Sequence, residues 1–154
     1  MGEQLRIVLD TNVVLDWLVF DDASIASLRA AHAAGQLRLL ARADTLSELA
    51  RVLAYPLFAL SVATQLAALG AYRALRLPEE PIPAPVSTAS PRKLPLCRDL
   101  DDQKFLELAR DQAADYLLSK DKRLLELNRR KFALPFEICT PSAFTLRLAD
   151  SAQA

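Results

Sequence analysis

The stretch Arg6-Ile7-Val8-Leu9-Asp10-Thr11-Asn12-Val13-Val14-Leu15 decides the fold: an apolar run reaches a carboxylate, a hydroxyl and an amide, then turns apolar again. Ile7, Val8 and Leu9 do not alternate with polar residues and include β-branched side chains, the pattern of a strand buried on both faces of a parallel sheet. Asp10 falls at the carboxyl end of that strand, where open α/β sheets place their ligands. Asn12 is a good helix N-cap, so the spacing predicts a helix through Val13, Val14, Leu15, Trp17 and Leu18, with Asp10 and Thr11 in the connecting turn. A carboxylate so placed needs a partner, because an isolated buried charge is costly or is driven to its neutral form.

Working outward, a chain of 154 residues with 52% hydrophobic and 25% charged residues matches one ordinary domain, expected over residues 1–150 with a frayed tail from Ser151 to Ala154. No apolar run reaches the ~20 residues of a membrane span, and Met1-Gly2-Glu3-Gln4 lacks the features of a signal peptide, so a cytoplasmic location is expected. Cys97 and Cys139 match no zinc spacing and read as buried free thiols. Nineteen basic and nineteen acidic residues leave no net charge, which argues against tight, charge-driven binding of long nucleic acid. A local basic rim is compatible with that balance, and Arg123, Arg129, Arg130 and Lys131 read either as such a rim or as a solvated helix end.

After the first helix, Ser24 to Ala34 carries Ile25, Leu28, Ala31 and His32 at helical spacing until Gly35 stops it. His32, the one histidine, reads as a surface or core-edge residue, so histidine-dependent chemistry is poorly supported. Leu37 to Leu40 is a second strand, and Asp44-Thr45 opens a helix with Leu46, Leu49, Val52 and Leu53 on one face. Glu48 in that helix fits a capping box from Thr45, in which the acid returns to the N–H of the cap. Ser61 to Leu77 is another helix, and Pro78 to Pro95, with six of the nine prolines, is a linker-like excursion with room for a short edge strand at Ile82 and Val86.

Three aspartates in four positions, Asp99, Asp101 and Asp102, then stand before an apolar helical run ending at Ala109. Capping and favourable interaction with the helix dipole account for one or two of them, and Asp99 and Asp102 project from the same side. Asp115 to Ser119 is the clearest later strand, and Asp121 opens the next helix, echoing the strand-to-acid order at Asp10. Phe136 to Cys139 is the last strand, before a helix with Pro141 at its favoured first position.

Strand, helix, helix, strand, helix, helix, loop, helix, strand, helix, strand, helix predicts a three-layer α/β/α sandwich around a mainly parallel sheet. Such a sheet delivers Asp10, Asp121, Asp99 and Asp102 to one rim, within reach of Glu48. Clustered carboxylates cannot all stay ionised without a cation, because like charges raise one another's pKa. All-oxygen ligands without a usable histidine or thiolate pair select Mg²⁺ or Mn²⁺, the ions of metal-dependent phosphodiester hydrolysis.

Leu-Asp-Thr-Asn-Val at 9–13, Glu48 in Ser-Glu-Leu, Cys-Arg-Asp-Leu-Asp-Asp-Gln-Lys-Phe-Leu-Glu-Leu-Ala at 97–109 and Tyr-Leu-Leu-Ser-Lys-Asp at 116–121 resemble the four acidic motifs of PIN-domain ribonucleases, in the branch described as toxin components of bacterial toxin–antitoxin systems. The resemblance spans Ile7 to about Phe144. It implies a PIN-like fold and a Mg²⁺- or Mn²⁺-dependent endoribonuclease acting on single-stranded RNA, commonly dimeric and paired with an antitoxin. Asp10, Glu48, Asp102 and Asp121 would be its metal-site acids, and Thr11, Asn12 and Ser119 would support them by hydrogen bonds. Asp99, Asp101 and Asp102 compete for the third motif; Asp102 is preferred and Asp99 stands next. Leu100 and Gln103 depart from the family pattern, where relatives often carry proline and another acid. Two other readings compete: a PIN-like module that binds RNA or an antitoxin with little cleavage, and a Mg²⁺-dependent phosphotransfer protein. The second fits poorly, because Asn12 stands where a phosphatase of that kind wants an aspartate, and Asp21-Asp22 lies after the first helix instead of at an early strand end.

Overall fold

A computed structural model describes residues 4–75, 94, 102–128 and 134–153. Strand β1 (Leu5–Leu9) leads into α1 (Thr11–Leu18); a 3-10 turn (Ala23–Ile25) and α2 (Ala26–Ala33) return the chain to β2 (Leu37–Leu40). Helix α3 (Ala43–Leu53), a 3-10 turn (Pro56–Phe58) and α4 (Val62–Leu75) follow. Then come α5 (Gln103–Asp111), β3 (Tyr116–Leu118), α6 (Lys122–Leu125), β4 (Glu137–Cys139) and α7 (Pro141–Gln153). This is the predicted order of elements. Helical backbone persists through Gln153, beyond the expected onset of fraying at Ser151. The edge strand expected near Ile82 and Val86 lies outside the described residues.

The four strands form one parallel sheet in the order β2-β1-β3-β4, with Ile7 opposite Leu39 and Tyr116, and Leu118 opposite Cys139. Successive side chains along a strand point to opposite faces, and the two faces of this sheet accordingly hold two cores. Ile7, Leu9, Leu39 and Leu118 pack with α1, α2, α3, α4 and Phe144 of α7 on one side. Val8, Leu40, Leu117 and Ile138 pack against Phe105, Leu106, Leu108 and Ala109 of α5 and Leu124 of α6 on the other. The molecule is thus the expected three-layer α/β/α sandwich, and the absence of alternation in β1 is explained by burial on both faces.

Gly35 ends α2 in the left-handed region at φ +77°, with its own N–H on the carbonyl of His32 and that of Gln36 on the carbonyl of Ala31. These two bonds satisfy carbonyls left over at the helix end. An added Cβ would meet nothing within 4 Å, so the cost of Gly35→Ala is conformational alone. The substitution is expected to lower stability by about 1–2 kcal/mol, measurable as a reduced urea midpoint.

His32 is a core-edge residue: its Nε2 donates to the carbonyl of Leu75 at 3.0 Å and its ring meets Trp17 edge-on at 5.6 Å. It ties α2 to the end of α4. Cys139 is a buried free thiol, pushed up to about 11 by burial, while Cys97 lies outside the described residues. No helix among the described residues is long and apolar enough to cross a membrane.

Candidate active site

The polar residues of the opening stretch stand at the carboxyl end of the sheet because the parallel ladder continues one residue past each central strand. The N–H of Asp10 donates to the carbonyl of Leu118 at 3.1 Å, and that of Ser119 to the carbonyl of Cys139 at 3.0 Å. These bonds set Asp10 and Ser119 side by side.

Asp10, and not Asn12, is the N-cap of α1. Its backbone is extended (φ −71°, ψ 167°) and Oδ1 accepts the N–H of Val13 at 3.0 Å, so the helix starts at Thr11. Asp and Asn cap about equally well, and the residue that ends the strand takes the role. Asn12 is left exposed on the first turn and contributes no bond to the networks described below. Asp10 is only 4% exposed, and Ser119, fully buried, donates its hydroxyl to Oδ2. The same Ser119 oxygen accepts the N–H of Asp121 at 2.9 Å, so one hydroxyl links two acids. Asp121 caps α6, accepting the N–H of Arg123 at 2.9 Å.

Burial pushes the Asp10 carboxyl up to about 6; the bonds from Ser119 and Val13 oppose the rise, and the charges of Asp121 and Glu48 add to it. Those last two contributions place three acids from three separate motifs within electrostatic reach of one another. Removing the hydroxyl of Ser119 strips Asp10 of a charge-assisted bond and leaves the N–H of Asp121 unpaired. Ser119→Ala is therefore expected to cost about 1.5–3 kcal/mol above pH 6, where Asp10 is ionised, and less in acid; urea unfolding at two pH values measures the difference.

Glu48 does not cap its helix. Helix α3 begins at Ala43 after Arg42, and the hydroxyl of Thr45 accepts the N–H of Arg42 at 2.9 Å. With the start one turn earlier than the capping-box pattern suggests, Glu48 lies beyond the free N–H groups of the helix end. Its side chain turns inward instead, with the residue 8% exposed. There Oε2 accepts the hydroxyl of Thr11 at 2.5 Å and Oε1 accepts Lys104 Nζ at 2.9 Å, with Arg51 at 3.6 Å. Thr11 thus does for Glu48 what Ser119 does for Asp10.

Lys104 comes from α5, which packs on β1 and α3, and Arg42 ties α5 to the start of α3 through Glu107 and Asp111. Asp102 stands at the N-cap position of α5, two residues before Lys104. Asp99 and Asp101, its rivals for the third motif, lie outside the described residues, as do Arg129, Arg130 and Lys131 of the proposed basic rim.

Two features of the site escaped sequence reasoning. One is Lys104, hidden within the third motif. The other is Asp16, buried in α1 and ion-paired with Lys120 from the turn between Ser119 and Asp121. The signal for Asp16 is an acid between Leu15 and Trp17 in an otherwise apolar helix. Among the described residues no group of three His, Cys, Asp or Glu side chains is arranged to hold a metal ion. Asp10, Glu48 and Asp121 are neighbours in charge, but Glu48 is engaged by Thr11 and Lys104.

A family model for the PIN domain matches residues 6–123, which takes in the strand leading to Asp10, Glu48, the third motif and Asp121. The chain belongs to the PIN-domain family. No curated protein and no solved structure matches it. PIN domains are generally nucleases that use divalent metal ions, and the four-stranded parallel sheet between helices is that fold.

Proposed function

We propose that this PIN domain is a metal-dependent endoribonuclease that hydrolyses single-stranded RNA, acting in the cytoplasm as the toxin of a toxin–antitoxin pair. The observation that carries the reading is Asp10: a carboxyl raised to about 6 by burial and by Asp121 and Glu48, at the carboxyl edge of a parallel sheet. Such a group is unfavourable as an isolated anion and favourable as a ligand to a cation. The donors are all carboxylate oxygens, which suits Mg²⁺ or Mn²⁺ and no softer ion. Asp10, Glu48 and Asp121 would hold it, with Asp102 or Asp99 from the third motif, and Thr11 and Ser119 would keep two of those carboxylates in place. A bound ion of this kind holds phosphate oxygens and lowers the pKa of water for attack on phosphorus. Among the described residues the reading draws on no side-chain nucleophile: Ser119 is fully buried and Thr11 nearly so, and His32 is committed to Leu75.

Phe20, Tyr55, Leu57, Val62 and Leu66 are exposed, with the Phe58 ring stacked on Tyr55 and tilted against Phe20, and apolar surface of this kind supports a protein partner, whether an antitoxin or a second copy in a homodimer. A second reading, a PIN-like module that binds RNA with little cleavage, draws on the engagement of Glu48 by Lys104. Incubating the protein with end-labelled single-stranded RNA, with Mn²⁺ and with a chelator, separates the two. Cleavage only with Mn²⁺ supports the nuclease, and RNA retained intact by the protein under both conditions supports the binding module.

A further inference from the structure

We infer that Lys104 is a resident cation that holds Glu48 until a divalent metal displaces it, so the Lys104–Glu48 ion pair and metal loading exclude one another; this rests on the metal-dependent reading of the site. Glu48 is 8% exposed, and a carboxylate buried to that extent needs a positive partner when no metal is present. The fold supplies one from a different helix: Nζ of Lys104 lies 2.9 Å from Oε1, on a side chain that is itself only 19% exposed. Oε2 is already taken by Thr11 at 2.5 Å, and the guanidinium of Arg51 approaches Oε1 at 3.6 Å.

A hard divalent ion sits about 2.1 Å from its oxygen ligands. An ammonium at 2.9 Å from the same oxygen would then face that ion across a short distance with like charge. One of the two has to leave, and a lysine on a flexible four-carbon stem is the one that can. The other acids are held differently. Asp10 is bonded by a hydroxyl and a backbone N–H and Asp121 by a backbone N–H, all neutral donors that leave lone pairs for a metal. Among the described residues, neither of them forms an ion pair.

The test is a calorimetric titration of Mn²⁺ into the wild-type protein, Lys104→Gln, Lys104→Arg and Lys120→Met. Gln keeps a neutral donor to Oε1 and so preserves the local fold without the charge. Lys120→Met controls for the general field, since Lys120 also lies within electrostatic reach of Asp10 but is paired with Asp16. Lys104→Gln is expected to bind Mn²⁺ on the order of tenfold more tightly, with Lys104→Arg close to wild type and Lys120→Met changed much less. Melting gives a readout independent of activity: Lys104→Gln is less stable than wild type without metal and gains more from Mn²⁺. Unchanged or weaker binding in Lys104→Gln overturns the inference while leaving the metal reading intact, as does equal tightening in Lys120→Met. Absence of Mn²⁺ binding in both wild type and Lys104→Gln overturns the metal reading and this inference together.

Discussion

Replacing Asp10 by Asn is expected to abolish cleavage and, in metal-free buffer at neutral pH, to make the protein more stable. The first effect follows from removing one carboxylate from the site, with a loss in rate on the order of 10³. The second follows from burial. The folded-state value of about 6 stands above the ordinary 3.8, so the fold prefers the protonated acid. The stability this group contributes is complete below pH 3.8, declines as the pH rises through about 6 and is absent above it, where the anion has to be carried. The gap corresponds to about 3 kcal/mol. Asn carries no charge, still accepts the N–H of Val13 as an N-cap, and can donate to Ser119 Oγ, so it keeps the local contacts without that cost. Asp10→Asn is therefore expected to melt about 3–10 °C higher than wild type at pH 7.5, with the advantage vanishing near pH 4. Added Mn²⁺ reverses the order by stabilising only the wild type. A stabilising change that destroys activity marks a residue kept for chemistry.

The second large effect lies beneath the site. Leu117 is fully buried in the middle of β3, opposite Val8 on one side and Ile138 on the other, and packs on α5 and α6. Leu117→Ala leaves a cavity in a central strand that neighbouring strands prevent from closing, and is expected to cost about 2–5 kcal/mol. That is a large part of the ~5–15 kcal/mol of an ordinary domain. Leu57→Ala, at a side chain 86% exposed, is expected to stay within about 0.5 kcal/mol of wild type. Paired urea titrations measure both.

The order of elements was legible because each one carries its own local signal: unbroken apolar runs for β1 and β2, helical spacing for α2 and α3, Gly35 for a helix end and Pro141 for a helix start. The acids near strand ends were legible for the same reason, since Asp10 directly follows β1 and Asp121 stands three residues after the end of β3. What local pattern does not carry is choice between equivalent chemistries. Asn12 and Asp10 are both good caps, and only the hydrogen bond from Asp10 to Leu118 decides which residue ends the strand. Glu48 matched a capping box letter for letter, yet Arg42, a residue type with no capping signature, precedes the helix and moves its start upstream. The pairings of Glu48 with Lys104 and of Asp16 with Lys120 join residues far apart in the chain, and neither member of either pair announces the other. They become visible only once α5 and the end of β3 are packed against α3 and α1.

A nuclease of this kind requires that these acids hold a divalent ion for hydrolysis of RNA. The most direct measurement is end-group analysis of single-stranded RNA incubated with the wild-type protein in Mn²⁺ and in chelator. The prediction is cleavage in Mn²⁺ alone, giving linear terminal phosphates, the product of water attacking phosphorus without a histidine or a protein nucleophile. Cleavage that persists in chelator, or that leaves 2′,3′-cyclic phosphates from attack by the RNA's own hydroxyl, would contradict it.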